Sequence, residues 1–413
     1  MLLSLWPGAL EELDLAILQD PDFALAYAAR ARLHAIHART AQAKVEISFA
    51  EALVLRNGTE REKSHVGALS LAINGRSAEA LKASLSHLES WPQDVLIFGL
   101  LLGAFGLFAF SGMADHDQAR VDLCERYAAH FASDDWWFLT YRGWSHTENG
   151  NLARGRALTQ KALEIRRSNG NAAHAMAHSL HECGANAEAQ QLIADWLPDY
   201  DRTGVLHGHI AWHGALVALE QEDVESALDY YTSNVAPSSS AGTPINIVSD
   251  CASFLWRLEA YGYRAPPHLW SEAAAYASGY FQQPGFAFAD FHMSLIDAYT
   301  GNQPMLERRH CAIMQTVQDA PSPASSVNLE LSSAIQAFAS GDFAACSKFL
   351  EPLGAETARI GGSGAQRELV DDMLVISLMK ADEINKAQTA LNNRLHRRPS
   401  VRDNRWLNSM TAK

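Results

Sequence analysis

The chain has 413 residues, and its 33 Lys and Arg against 47 Asp and Glu give a formal net charge of −14. This length suits two or three compact domains or one elongated array of repeats. An acidic chain without a row of clustered Lys and Arg repels the phosphates of nucleic acids, so we expect no nucleic-acid partner. The one dense basic run, Arg394 to Arg402, is interpreted as a solvated helix end rather than a binding patch.

Cysteine usage and the first residues indicate the compartment. The five cysteines are scattered, odd in number and free of any C-x-x-C pair: Cys124, Cys183, Cys251, Cys311 and Cys346. This pattern favours a reducing compartment with small buried thiols. The opening MLLSLWPGALEELD lacks the basic region of a secretory signal, so we expect a cytoplasmic protein.

One uncharged stretch, Val95 to Phe110, is a candidate membrane segment. It is shorter than the roughly 20 residues that a spanning helix needs. Gly99, Gly103 and Gly106 could form a close-packing face in lipid or between stacked soluble helices. Because polar chain flanks it on both sides, we expect a buried helix and no membrane partner.

Internal repeats of helix, small-residue turn and helix organise the rest of the chain. The clearest turns fall at Gly75, Gly150, Gly184, Glu222 and Gly341, and weaker ones at Gly112, Gly262, Gly301 and Asp382. The interval from Gly150 to Gly184 is 184 − 150 = 34 residues, the tetratricopeptide period. The sequence therefore predicts an all-α, right-handed α-solenoid of tetratricopeptide-like hairpins. We expect one superhelix over residues 1–413, with the best repeats at 60–240 and longer, weaker ones at 241–413.

Small side chains recur at fixed distances from these turns. Four, seven, eight and eleven residues before a turn they form a stripe, as with Ala173 and Ala177 before Gly184. Five residues after a turn the complementary positions are Ala80, Gly155, Ala189, Ala227 and Cys346. Such stripes let neighbouring helices approach closely, as stacked hairpins require.

Several segments, in order, resemble the tetratricopeptide repeat protein 38 family, also called StaR-like. They are DPDFALAYAARA, EREKSHVGALSL, the two histidine-rich helices, IVSDCASFLWRLEAYG, FADFHMSLIDAY and ARIGGSGAQRELVDDMLV. The resemblance covers nearly the whole chain and implies the repeat fold without a particular activity. The chain departs from the family pattern in a shortened start and at Gly208 and Ile210.

Histidines concentrate on the face that a repeat groove offers to ligands. Positions 3, 6, 9, 10 and 13 before each turn line the concave surface of a tetratricopeptide superhelix. This count selects His174, His178 and His181, then His209 and His213, and also His65, His292, Trp137, Tyr141 and Trp144. Histidines at i and i+4 share a helix face, so His174 and His178 are expected to meet His209 and His213.

Three interpretations of these histidines stay open. They can hydrogen-bond one another and water in a polar groove, contact an organic ligand, or hold a divalent metal ion. The segment HSLHE does not reproduce the H-E-x-x-H metalloprotease motif. Trp137, Tyr141 and Trp144 are equally consistent with a stacking wall for a planar ligand and with core packing.

Two further segments carry polar candidates. The Gly-rich turn before Arg367 could hold an anion, but we favour a helix cap that ties repeats together. Asp250 could orient a groove histidine, and we favour a capping role after Pro244.

Three functions follow. The leading hypothesis is a binding protein whose groove holds a peptide or small molecule through the ligand-binding candidates His174, His178, His181, His209, His213, His292, Trp137, Tyr141, Trp144, Asp250 and Arg367. The second is a metal-assisted hydrolytic enzyme that uses His174, His178, His209 and His213. The third is a scaffold for protein partners. No motif identifies catalytic residues.

Overall fold

The computed structural model describes residues 1–411 as helices, turns and loops, without a strand among them. Contacts between Cα atoms divide the chain into two compact units, residues 1–175 and 176–413, and each is described by itself. The prediction of an all-α fold built from tetratricopeptide-like hairpins is confirmed. The single superhelix over the whole chain stays a prediction.

The first unit contains nine complete helices. They are α1 (Ala9–Gln19), α2 (Ala24–Ile36), α3 (Thr40–Asn57), α4 (Glu60–Ile73), α5 (Ser77–Ser90), α6 (Val95–Leu102), α7 (His116–Tyr127), α8 (Trp136–Glu148) and α9 (Leu152–Ile165). Helices α2, α4 and α8 pack on their hairpin partners α3, α5 and α9, and α2, α4, α6 and α8 also pack successively on one another. Helix α10 (Gly170–Glu182) begins in this unit and ends in the second.

The second unit repeats this arrangement. Its helices are α11 (Asn186–Trp196), α12 (His207–Glu220), α13 (Val224–Tyr230), α14 (Pro244–Ala260), α15 (Pro267–Ala277), α16 (Ala287–Tyr299), α17 (Gln303–Asp319), α18 (Pro323–Ala339), α19 (Phe343–Leu350), α20 (Gly364–Lys380), α21 (Ile384–Arg397) and α22 (Val401–Thr411). Helix α14 is its centre, because α12, α15, α16 and α20 all pack on it.

The turns between paired helices lie where the sequence predicts them. All nine predicted positions, including Glu222 and Asp382, have a positive φ between 61° and 97°. Glycine adopts this left-handed conformation without the Cβ clash that other residues meet. A further left-handed turn at Ala38, between α2 and α3, has no glycine and escaped sequence analysis.

The small contacts after the turns are also present. Ala80, Ala189, Ala227 and Cys346 are all buried. Between α8 and α9 the backbones meet, since a Cβ on Gly155 would lie 2.8 Å from the Thr147 nitrogen and 2.9 Å from the Gly143 oxygen. The predicted close approach of helices at these positions is therefore confirmed.

The apolar stretch Val95 to Phe110 is buried in part, but it is not one helix. Helix α6 ends at Leu102, and the chain folds back so that the Leu107 nitrogen donates to the Leu100 oxygen at 3.0 Å. A Cβ on Gly106 would lie 2.5 Å from the Leu101 oxygen, so only glycine fits this return. Among residues 1–411, no helix has the length and apolar content needed to span a bilayer.

The basic run near the C-terminus is neither a solvated helix end nor a surface patch. Arg394 and Arg402 are buried, and Asp372 on α20 pairs with both, at 2.8 and 3.4 Å. Arg257 on α14 joins the same carboxylate at 3.1 Å. Burial alone would raise the pKa of Asp372, but the three guanidinium groups hold it below its usual value. The network joins α14, α20, α21 and α22.

The left-handed turns provide a test of the fold with two glycines. A Cβ at Gly150 (φ 82°) or at Gly67, inside α4, would meet no atom within 4 Å. Only the backbone then decides the outcome. We expect Gly150→Ala to lower the free energy of unfolding by about 1 kcal/mol and Gly67→Ala to raise it by about 0.5–1 kcal/mol. Urea unfolding followed by circular dichroism measures both, and shifts of the same sign would contradict the assigned turn.

Candidate functional site

Three histidines of the second unit come together from two helices. His178 lies on α10, and His209 and His213 lie one turn apart on α12. The ring centroids of His178 and His213 are 4.3 Å apart, those of His209 and His213 5.2 Å, and those of His178 and His209 6.4 Å. All three side chains are buried. We call these three residues the histidine cluster.

The spacing of the ring nitrogens suits a single ion. One nitrogen from each imidazole of the cluster lies within 4.8 Å of the others. Two imidazoles on a tetrahedral zinc ion, at its usual nitrogen distances, have nitrogens about 3.3 Å apart. Small changes in side-chain rotamers would therefore bring the three nitrogens to binding distance.

Asp250 on α14 orients one member of the cluster. Its Oδ2 lies 2.8 Å from Nδ1 of His209, and both side chains are buried. Burial raises the pKa of Asp250, although His209 opposes this shift. The indole of Trp212 stacks on the His209 ring at 5.2 Å. With Nδ1 facing the carboxylate, Nε2 of His209 is the nitrogen that would coordinate an ion, as in many metal sites.

The favoured sequence interpretation of Asp250 as a helix cap is wrong. Asp250 lies inside α14, whose first residue is Pro244, and its side chain contacts His209 instead of the first turn. The alternative, an orienting role for a groove histidine, is the arrangement found. The two residues are 41 positions apart in the chain, so local capping rules could not decide between the alternatives.

The surroundings of His178 favour the neutral form of its imidazole. Burial lowers its pKa well below 6.5, and His209, His181 and Arg367 lower it further. A neutral imidazole has a lone pair to donate, so no proton has to leave before an ion binds.

Other predicted residues of the second unit have structural contacts. His181 lies 3.3 Å from Glu368 and 2.8 Å from Arg398, at the edge of the buried ion network. Arg367 donates to the Gly362 oxygen at 2.6 Å. Ser363 caps α20 through a capping box with Gln366, so the interpretation of the Gly-rich turn as a cap is confirmed.

Four of the ligand-binding candidates belong to the first unit: His174, Trp137, Tyr141 and Trp144. His174 lies one turn before His178 on α10, and its ring stacks on Trp144 at 5.3 Å. Trp137 is buried against Phe98, with ring centroids 5.9 Å apart, and packs on Tyr141. Trp137 thus contributes to the core as well as to a pocket that it lines with Tyr141.

A second cluster, in the first unit, was not predicted as a site. Asp94 caps α6, and its Oδ2 lies 2.9 Å from His65 Nδ1 and 3.2 Å from His87 Nε2. The spacing of the three side chains would also suit an ion. Arg61, however, lies 2.9 Å from the same oxygen and supplies a positive charge there. We assign a structural role to this cluster. Only His65 had a signal in the sequence, its groove position.

Comparisons with known proteins concern the fold. No family model matches the sequence. The crystal structure of yeast Tom70 is similar over 98% of this chain and 85% of that chain, with 12% identity and a TM-score of 0.35. A structure of Naa15/Naa10 bound to HypK-THB is similar over 92% of this chain and 64% of that chain, with 12% identity and a TM-score of 0.22. The site must therefore be interpreted from its own residues.

His292 lies outside both clusters and gives a test based on pH. Its Nδ1 donates to the Phe288 oxygen of its own helix at 2.8 Å, and burial lowers its pKa from 6.5 to about 4. Between pH 6.5 and 4, His292 is protonated in the unfolded chain but stays neutral in the folded chain. This residue therefore contributes stability above pH 6.5 that falls by up to about 3 kcal/mol as the pH drops to 4.

We expect His292→Leu to reduce this acid sensitivity. Urea unfolding at pH 8, 6 and 5 should show a smaller loss of stability in the variant than in the wild type. His268→Leu, at an exposed histidine of the same unit, serves as the control and should follow the wild type. Parallel pH curves for His292→Leu and wild type would rule out the assigned protonation state.

Proposed function

We propose that this chain is a helical-repeat binding protein whose site is a transition-metal centre. The histidine cluster holds one divalent ion, and a peptide or small molecule binds at the coordination position that remains. The observation that carries this proposal is the convergence of three buried imidazoles, with nitrogens within 4.8 Å, on one side of α12.

The chemistry of the donors supports a borderline metal such as zinc. Imidazole nitrogen is a usual ligand of zinc, copper, iron and nickel, whereas calcium and magnesium prefer oxygen. Asp250 supplies the hydrogen bond that metal-binding histidines commonly make through their second nitrogen. The low pKa of His178 keeps its ring in the form that binds cations.

Space filling alone does not account for this arrangement. Three polar rings from two helices occupy a buried place. Leu or Phe would pack there without the free-energy cost of removing water from polar groups. The same unit uses apolar side chains at comparable positions of α12, such as Ile210 and Leu216. A carboxylate that fixes one ring is needed by a ligand site and not by a core.

Metal analysis of protein purified without an affinity tag tests the proposal. We expect about one equivalent of zinc, manganese or iron per chain, or tight binding of added Zn²⁺ after treatment with a chelator. The double variant His178→Gln, His213→Gln should keep its helical circular dichroism and lose the metal. His207→Gln is the matched control, because His207 is buried on α12 but stacks on Tyr200 away from the cluster. Equal metal content in wild type and double variant would refute the proposal.

Metal-assisted hydrolysis is a second candidate function. Catalytic zinc sites commonly use three protein ligands and keep one position for water. The cluster provides three imidazoles, while the ring of His174 stacks on Trp144 in the first unit. Three ligands from this cluster would leave one position of a tetrahedral ion for water.

Turnover of an activated ester separates the two candidates. If the chain is a hydrolase, zinc-loaded wild type should hydrolyse 4-nitrophenyl acetate above the background rate, and the double variant should not. If the chain only binds, wild type and double variant should hydrolyse the ester equally slowly while they differ in metal content. The His207→Gln control should match the wild type in both measurements.

We further propose that the chain belongs to the tetratricopeptide repeat protein 38 family and works in the cytoplasm. The segments that carry the resemblance include residues of both clusters, among them His65 and His178. None of the five cysteines, all of which lie among residues 1–411, forms a disulfide bond, which suits a reducing compartment.

A further inference from the structure

A small pocket in the first unit combines an apolar lining with one cation. Most of its walls are aliphatic, including Leu33, Leu69, Val95 and Leu96, and Trp137 adds an aromatic face. Arg32 and Tyr141 are the polar side chains at its wall. The volume of the cavity is about 70 Å³.

Arg32 differs from the fully buried arginines of the described chain. Arg120, Arg257, Arg309, Arg394 and Arg402 are buried, and each lies within 4.0 Å of a carboxylate oxygen. Arg32 is half-buried, and no carboxylate of residues 1–411 lies within that distance. Its guanidinium donates to the Leu96 oxygen at 2.6 Å, and burial lowers its pKa.

An unpaired guanidinium against an apolar wall is energetically unfavourable. Partial removal of water from a charge raises the free energy of the folded protein unless an opposite charge replaces that water. Natural proteins accept such a cost where a ligand supplies the missing charge. A carboxylate matches the planar guanidinium best, because it can accept two parallel hydrogen bonds.

The donors of the pocket converge at Gly99 on α6. A Cβ placed there would lie 4.0 Å from Nη2 of Arg32, 3.7 Å from the hydroxyl of Tyr141 and 3.6 Å from Cζ2 of Trp137. The guanidinium, a phenol and an aromatic edge thus surround one point. The absence of a side chain at position 99 leaves room for ligand atoms between them.

We propose that this pocket binds a short carboxylic acid with an apolar body. Arg32 pairs with the carboxylate, Tyr141 donates a hydrogen bond to it, and the aliphatic walls bury the remainder. A cavity of about 70 Å³ corresponds to roughly six water-sized spheres, which suits a body of a few carbon atoms.

The lining argues for a free acid of single charge. A phosphate dianion would need a second cation, and Arg32 is the one cationic side chain among the pocket residues that the structure describes. Leu2, Leu3 and Leu5 also line the pocket from the N-terminal segment, where they provide further apolar contact for the body of the acid. This proposal is independent of the histidine cluster, since every residue it uses belongs to the first unit.

Calorimetric titration of the full chain with hexanoate tests the proposal, with hexanamide as the uncharged isostere. We expect hexanoate to bind at least tenfold more tightly than hexanamide. Arg32→Gln should weaken hexanoate binding at least tenfold and leave the melting temperature unchanged or higher, because it removes an unpaired charge. Gly99→Ala should weaken binding at least threefold in a folded protein, because its methyl group makes ordinary contacts while filling the site.

Two controls complete the experiment. Arg30→Gln lies on the same helix, but Arg30 pairs with Asp14 and Glu46, so hexanoate binding should not change. The double variant His178→Gln, His213→Gln should also bind hexanoate normally, which keeps a failure of the metal proposal distinguishable. Equal binding of acid and amide, unchanged binding by Arg32→Gln, or a lower melting temperature of that variant would overturn the proposal. Tighter binding of a peptide through its C-terminal carboxylate would also overturn it, in favour of a peptide site.

Discussion

The left-handed turn between paired helices is the constraint on which each unit depends. A single residue with φ between 61° and 97° at nine predicted positions reverses the chain after each first helix. Seven of these residues are glycines, and Glu222 and Asp382 adopt the same conformation in spite of their Cβ atoms. Because the turn fixes where each helix starts, it also fixes which side chains meet the neighbouring hairpin. The close helix contacts at Gly155, and at the other small residues five positions after a turn, follow from this spacing.

The histidine cluster depends on the same spacing, that is, on the number of residues between each histidine and the turn after its helix. His178 stands six residues before the turn at Gly184, and His213 nine before the turn at Glu222, so both side chains come from the first helix of a hairpin. Apolar residues fill the sides of α12 that pack on neighbours, which leaves one side for imidazoles. Asp250 then reaches the cluster from the next first helix, α14, through the stacking of consecutive hairpins.

The sequence predicts local geometry well and long-range charge pairing poorly. Turns, small contacts and the meeting of His178, His209 and His213 all follow from spacing within one or two repeats. The buried state of the Arg394 to Arg402 run could not be predicted, because its partners Asp372 and Glu368 lie on another helix, α20. The unpaired state of Arg32 could not be predicted either, since it depends on the absence of acids from a pocket that several helices build. Helix α6 ended early because return hydrogen bonds to Leu100 competed with helix continuation.

The buried arginines near the C-terminus also govern the order in which the second unit can form during synthesis. Asp372 and Glu368 leave the ribosome before Arg394, Arg398 and Arg402, which pair with them. Until those residues appear, closing α20 onto α14 would bury carboxylates with too few cations, a state several kcal/mol above the native one. The apolar side of α14 therefore stays uncovered until the later segment with Arg394, Arg398 and Arg402 has been synthesised. During this interval the uncovered apolar side of α14 is a surface that chaperones for nascent chains can bind.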